Sequence, residues 1–206
     1  MFCILYQDHD LLVLDKPSGL LSVPGRGPDL QDCLSSRVQA AHPEALVVHR
    51  LDRDTSGLIV MARNPAAQRH LGEQFAHRTV EKHYLALVFG QPAERSGTID
   101  LPMRKDFEHP PRHRIDPAFG RAAETAWRVI ELFVDRSRLE IVPRTGRSHQ
   151  IRLHLATIGH PILGDNLYAH DQARAMSPRL MLHAARLSLS HPATGERLSW
   201  SANCPF

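Results

Sequence analysis

The chain has 206 residues, 42% of them hydrophobic and 23% charged, a balance that excludes a disordered or a fibrous protein. No apolar run reaches the roughly 18 residues that a membrane span needs. The start, Met1–Tyr6, passes straight into Gln7-Asp8-His9-Asp10 without the basic and long apolar stretches of a signal peptide, so a cytoplasmic location is expected. The formal net charge of +3 is unevenly spread, because residues 141–206 hold seven arginines against Asp165, Asp171 and Glu196. A local basic excess suits a polyanionic partner. Of the 25 basic residues 22 are Arg, which fits phosphate recognition and fits an arginine-leaning genome equally well.

In chain order, Ile4–Tyr6 and Leu11–Leu14 read as a β-hairpin about a polar turn. Loops follow at Lys16-Pro17-Ser18-Gly19 and Pro24–Pro28. Leu30, Cys33, Leu34, Val38 and Ala41 then recur at helical spacing until His42-Pro43 stops them. Leu58–Ala62 is an apolar run of buried-strand type, and Asn64-Pro65 supplies an N-cap and an N1 proline for a helix carrying Ala67, Leu71 and Phe75. Alternation predicts a strand over Val80–Phe89, ended by Gly90.

Residues 91–121, rich in proline and charge, read as a long surface loop with one short strand near Thr98–Leu101. Strands are expected at Thr125–Phe133 and Arg138–Val142. Ser148 is placed to cap a helix whose Ile151, Leu155 and Ile158 share one face, and Gly159 with Pro161 ends it. Leu182–Leu189 and Arg197–Trp200 form a closing hairpin. The mixture is α+β with many strands. Cys3, Cys33 and Cys204 are odd in number and show no C-x-x-C spacing, so they are expected as packing residues.

Two segments could carry chemistry. His49-Arg50-Leu51-Asp52-Arg53-Asp54-Thr55-Ser56-Gly57 is a dense polar stretch between a helix and a buried strand. An aspartate displayed there can act as a nucleophile if a cation keeps it ionised, although a D-x-x-S-G string also serves as a simple turn cap. The helix beginning near Arg147 puts Ser148, His149 and Arg152 on a polar side, where Arg152 points either to a cleft or to solvent. Tyr84 lies in a strand, where tyrosines commonly pack. Signatures for phosphate-binding glycine loops and for zinc proteases are missing from the sequence, and the fourteen histidines show no ligand spacing. Asp52 and Asp54, two apart in one loop, make a poor pair for glycoside hydrolysis.

Together these segments resemble the RluA family of pseudouridine synthases. The resemblance rests on His49–Gly57, on Lys82–Val88, on Thr145–His154 and on Gly159–Asp165, and it closes with Leu182-His183-Ala184 and His191-Pro192. It implies one catalytic domain over residues 1–206, without an S4-type RNA-binding module. The implied fold is a mixed, mainly antiparallel sheet in two halves with a central RNA-binding cleft. By resemblance Asp52 is the nucleophile, Tyr84 stacks on the target base and assists proton transfer, and Arg152 pairs with the aspartate. Arg50 fills the place in the RNA vacated by a flipped uridine, Leu182 lines the pocket, and Arg147 and His149 contact RNA. No metal or nucleotide cofactor is implied.

The loops Lys16–Arg26 and Ala173–Leu180 are similar to those of the branch that modifies both 23S ribosomal RNA and transfer RNA. A member acting on only one of these, and a non-catalytic RNA-binding protein of the same fold, are the alternatives. No protein partner is implied, and a monomer is expected.

Overall fold

The structure is a computed structural model that describes residues 2–206. In chain order the strands are β1 (Cys3–Gln7), β2 (Leu11–Lys16), β3 (Leu46–Val47), β4 (Ser56–Ala62), β5 (Glu81–Phe89), β6 (Ser96–Asp100), β7 (Met103–Lys105), β8 (His113–Ile115), β9 (Glu124–Leu132), β10 (Arg136–Pro143), β11 (Leu182–Ser190) and β12 (Arg197–Ser201). The helices are α1 (Leu34–Gln39), α2 (Pro65–Ala76), α3 (Gln150–Thr157) and α4 (Asp171–Ala175). The fold is thus mixed α+β with mostly antiparallel pairing. The chain divides into two compact units, the first running to Lys82 and resuming at His183–Pro205, the second formed by His83–Leu182 with Phe206.

In the first unit β1 and β2 form the expected hairpin, β2 runs antiparallel to β4, and the short β3 also pairs with β4. Strand β11 lies parallel to β4, with His183 opposite Ser56 and Ala184 opposite Gly57, and β12 returns antiparallel beside β11. All seven residues of β4 are buried, which explains why it reads as an unbroken apolar run rather than an alternating one. Leu11, Val13, Leu58 and Val60 pack against Ala67 and Leu71 of α2. The start of α2 follows its local signals, with Asn64 Oδ1 accepting the Ala67 N–H at 2.8 Å and Pro65 at the first turn.

In the second unit β10 pairs antiparallel with β5 on one side and β9 on the other, and β6 pairs with β9. Ala86, Val88, Trp127, Leu139 and Ile141 pack against Ile151 and Leu155 of α3, the apolar stripe read from spacing.

Four local expectations differ from the structure. The helix expected from Leu30 begins only at Leu34, after a 3-10 turn at Pro28–Leu30. The reason is that Cys33 sits in extended backbone and caps α1: its Sγ accepts the Ser36 N–H while the Ser36 hydroxyl accepts the Cys33 N–H. This cysteine is therefore a cap as well as a packing residue. Residues 91–121 are not one long loop, because β7 and β8 form a hairpin within them, with Met103 opposite Ile115. Strands of three residues are too short to show a period of two. Ser148 does not cap α3; the residue before the helix is His149, in left-handed backbone at φ 59° with no side-chain cap, and the Gln150 side chain accepts the Arg147 N–H instead. Finally, α4 occupies a stretch that reads as loop, its first turn capped by the His170 ring.

Candidate active site

The polar stretch 49–57 belongs to the first unit, and side chains from the segment 16–22 hold the backbone of its middle part. Lys16 is fully buried, and its Nζ donates to the carbonyls of Pro17 at 2.9 Å, Leu20 at 2.7 Å and Arg53 at 2.9 Å. Ser18 donates to Asp54 O, and the Ser22 hydroxyl both donates to Leu51 O and accepts the Leu51 N–H. An ammonium taken out of water must find acceptors, and three converging carbonyls supply them. At the other end, His49 Nε2 accepts the Val60 N–H at 3.0 Å, and its ring stacks on Phe75 at 4.3 Å. Desolvation, aided by the charge of Lys82, pushes the His49 pKa down to about 3, so the ring stays neutral and keeps its lone pair for Val60.

Asp52 is partly exposed in the middle of this tethered stretch, its own carbonyl accepting the Thr55 N–H at 3.2 Å. The chain then enters β4 through a close approach to β11. Gly57 has φ +108°, and a Cβ there would lie 2.3 Å from the Ala184 carbonyl oxygen. Glycine is therefore required. Next to it Ser56 Oγ and His183 Nδ1 lie 3.0 Å apart in a buried contact. The Ser56-Gly57 and Leu182-His183-Ala184 motifs, 127 residues apart at Ser56 and His183, are one structural feature. Arg50 is exposed on the same stretch.

The second unit carries Tyr84, Arg152, Leu182, Arg147 and His149. Tyr84 lies on β5 opposite Ile141 of β10 and packs on the apolar cluster that includes Ile151 and the buried Leu182. Arg152 does not point to solvent. It is 2% exposed, and its guanidinium makes a bidentate pair with Asp165, Nε to Oδ2 at 2.8 Å and Nη2 to Oδ1 at 2.6 Å, with a further bond to Asn166 Oδ1 at 3.1 Å. The Tyr168 ring lies 5.5 Å from its Cζ, and the Tyr168 hydroxyl meets His149 Nδ1 at 2.9 Å. Asp165 is itself seated by the Leu167 and Tyr168 N–H groups, and Gly164, at φ +71°, comes so close to Arg179 O that no side chain fits. Arg147 donates from Nε to Ala122 O at 3.2 Å.

Beneath Arg152, α3 is tied to the sheet by a buried chain of hydrogen bonds. Thr145 donates to Gln150 Oε1, Gln150 Nε2 donates to Glu124 O and Thr125 Oγ1, and His154 meets Thr125 Oγ1 at 2.9 Å and Leu101 O at 3.0 Å. A carbonyl only accepts, so His154 carries its proton on Nε2. Desolvation holds its pKa below the usual histidine value, which keeps the chain neutral and fully paired.

The sequence does not single out Lys16, Ser22 or Asp165 as site residues, although all three stand in the segments that carry the resemblance. What a string of residue types lacks is the information that all three are buried, that Lys16 and Ser22 hold the backbone on either side of Asp52, and that Asp165 pairs with Arg152. Two clusters have metal-ligand geometry among the described residues, Asp8 with Asp10 and His191, and Asp106 with Glu108 and His109; neither includes a candidate site residue.

Residues 10–157 match a family described as RNA pseudouridylate synthase. The chain is 46% identical over 204 residues to the dual-specificity RNA pseudouridine synthase RluA of Escherichia coli (strain K12), covering 98% of this chain and 93% of that one. It is 48% identical, with the same coverage, to the protein of that name from Haemophilus influenzae. Among solved structures it is similar to Human RNA Pseudouridylate Synthase Domain Containing 1, with TM-score 0.83 and 31% identity over 100% of this chain and 84% of that chain. It is also similar to Human RNA Pseudouridylate Synthase Domain Containing 4, with TM-score 0.78, 26% identity, and 98% and 88% coverage.

Proposed function

The chain belongs to the RNA pseudouridylate synthase family and is an isomerase acting on RNA, and from that premise we propose that it modifies specific uridines in both 23S ribosomal RNA and transfer RNA, with Asp52 as nucleophile. The observation that supports the assignment of Asp52 is the tethering of residues 49–55, which presents its partly exposed carboxylate on a backbone fixed by Lys16, Ser18, Ser22 and His49. Such a loop holds a nucleophile in one geometry, and orientation is among the largest contributions to rate. Identity of 44% to 48% to relatives named for dual specificity supports the two substrates.

In the proposed reaction the Asp52 carboxylate attacks C1′ of the ribose or C6 of the base, and the N1–C1′ bond breaks. The base turns, C5 bonds to C1′, the carboxylate is released, the C5 proton leaves to water and N1 gains a proton. Tyr84 stacks on the flipped base and assists the C5 proton transfer. Arg152, its plane fixed by Asp165, is the cationic partner proposed for the nucleophile. Arg50 fills the vacated place in the RNA, Leu182 lines the base pocket, and Arg147 and His149 contact the backbone. The whole chain acts as one catalytic domain, as a monomer in the cytoplasm.

The C5 proton lost to water supplies the assay. Tritium release from C5-labelled transcripts of a 23S hairpin and of a transfer RNA anticodon arm is expected from the wild type on both, and from Asp52→Asn on neither. Asp52→Asn retains RNA binding. Wild-type turnover by Asp52→Asn would remove the nucleophile assignment, and release from one RNA alone would remove dual specificity.

A further inference from the structure

Arg152 is held by more than its carboxylate. The bidentate pair with Asp165 uses the Nε–Nη2 edge of the guanidinium, and Asn166 adds a third bond at Nη2, so these contacts fix an edge. A planar group gripped along one edge can still rock about that edge, because the angular dependence of a hydrogen bond is broad. What lies over the face of the group therefore sets its tilt. Over it lies the ring of Tyr168, with its centroid 5.5 Å from Arg152 Cζ.

The Tyr168 ring is itself anchored at both ends. Its backbone N–H donates to Asp165 Oδ1 at 3.1 Å, beside the Leu167 N–H at 2.8 Å, so the tyrosine is built onto the carboxylate that pairs with the arginine. At the far tip the His113 N–H donates to the hydroxyl at 2.8 Å, and His149 Nδ1 lies 2.9 Å from it. His149 directly precedes α3, three residues before Arg152. The contacts thus close a circuit, from Arg152 to Asp165, along the chain to Tyr168, through its ring to His149 and back along the first turn of α3. The ring also packs beside Met103, Ala123 and Leu153, but leucine or phenylalanine would fill that apolar contact. Packing needs neither the hydroxyl nor a ring face presented to a cation.

We propose that Tyr168 is a positioning residue for the isomerisation, its ring setting the tilt of the Arg152 guanidinium and its hydroxyl holding that ring against the start of α3. The inference rests on the reading of Arg152 as the cationic partner of the nucleophile, and it names the residue that aims it. A guanidinium directs its donors within its own plane, so a change of tilt redirects its hydrogen bonds even where the pair with Asp165 survives. Asp165 supplies the edge, and Tyr168 supplies the remaining angle.

The test compares Tyr168→Leu and Tyr168→Phe by single-turnover tritium release at saturating RNA, with RNA affinity measured separately. Tyr168→Leu removes ring and hydroxyl, and is expected to lower the rate constant roughly 100-fold, the scale of a misplacement by about 1 Å. Tyr168→Phe keeps the ring and is expected to recover most of that rate, losing roughly 2- to 10-fold for one hydrogen bond. A second comparison removes the plane itself. An ammonium has no plane to tilt, so in an Arg152→Lys background Tyr168→Leu is expected to cause no further loss, whereas a ring that merely fills space would cost the same factor again. The NMR resonance of the Arg152 Nε–H, assigned by its disappearance in Arg152→Lys, reads the same geometry without activity. It is expected to move when the ring is lost in Tyr168→Leu and to stay near its place in Tyr168→Phe. The proposal is overturned by a wild-type rate in Tyr168→Leu, by a loss confined to RNA affinity, by a Tyr168→Phe rate as low as that of Tyr168→Leu, by the full loss repeated beside Arg152→Lys, or by an unmoved resonance. Absence of tritium release from the wild type would instead overturn the reading of the reaction, and the resonance would still decide whether Tyr168 orients Arg152.

Discussion

Arg152 and Lys16 are both buried cations, and the way each is satisfied tells what it does. Lys16 has three backbone carbonyls and acts as a pin, joining the segment 16–20 to the backbone directly after Asp52. Arg152 has a carboxylate in bidentate register, which fixes the plane of the guanidinium as well as its position. The pair is desolvated on both sides, with side-chain exposures of 3% and 0%, so removing one member leaves an uncompensated charge. Asp165→Asn keeps the shape and removes that charge; a loss of about 3–5 kcal/mol of stability is expected from the urea midpoint. Tritium release should fall as well, because Arg152 is no longer held. A variant with wild-type midpoint and activity would show that Asp165 contributes neither.

The elements place these residues by close approach rather than by secondary structure alone. Strand β4 begins at the end of the Asp52 stretch and is brought against β11 by a parallel register that only glycine permits at position 57. Gly57→Ala forces either an unfavourable backbone conformation or a displacement of Ala184. The expected cost is on the order of 3 kcal/mol, with activity lost through the shift of residues 52–56. Urea unfolding together with the tritium assay checks both parts, and unchanged activity would separate the β4–β11 contact from the site. Helix α3 shows the same logic in polar form. Its apolar stripe supplies burial, while Gln150 and His154 fix its rotation and axial position through Thr125, Thr145 and Leu101. The stripe Ile151, Leu155 and Ile158 is legible in spacing; the polar chain is not, because its members lie on β9, on the turn before α3 and beyond β6.

On the scale of the whole chain, the first and last hairpins are clamped to each other 183 residues apart by Asp8 and His191, with Oδ2 to Nε2 at 2.9 Å. Burial opposes ionisation of Asp8, but the Leu11 and Asp10 N–H groups, the Tyr6 hydroxyl and His191 together outweigh it and hold its carboxyl below the usual range. A carboxyl with a depressed folded pKa contributes stability that is complete above its unfolded pKa, near 3.9, and is lost as pH falls through the folded value. The midpoint of thermal unfolding of the wild type is therefore expected to fall more steeply below pH 4 than that of Asp8→Asn, which starts lower and lacks this term. Parallel slopes would remove Asp8 from the acid response.

From the sequence by itself came the α+β class, most of the strands, the positions of α2 and α3 and the candidacy of Asp52, Tyr84 and Arg152. All of these rest on local period, on capping and turn residues, or on motif resemblance, which are properties of neighbours along the chain. Tertiary structure alone decided that Lys16 is a buried pin, that Arg152 is paired with Asp165, that Ser56 meets His183, and that Tyr168 touches Arg152, Asp165 and His149 together. It also revealed the β7–β8 hairpin, where strands of three residues carry too few side chains to show alternation. The reason is common to all of these: burial and pairing depend on distances between segments far apart in sequence, and a string of residue types records chemistry but no distances.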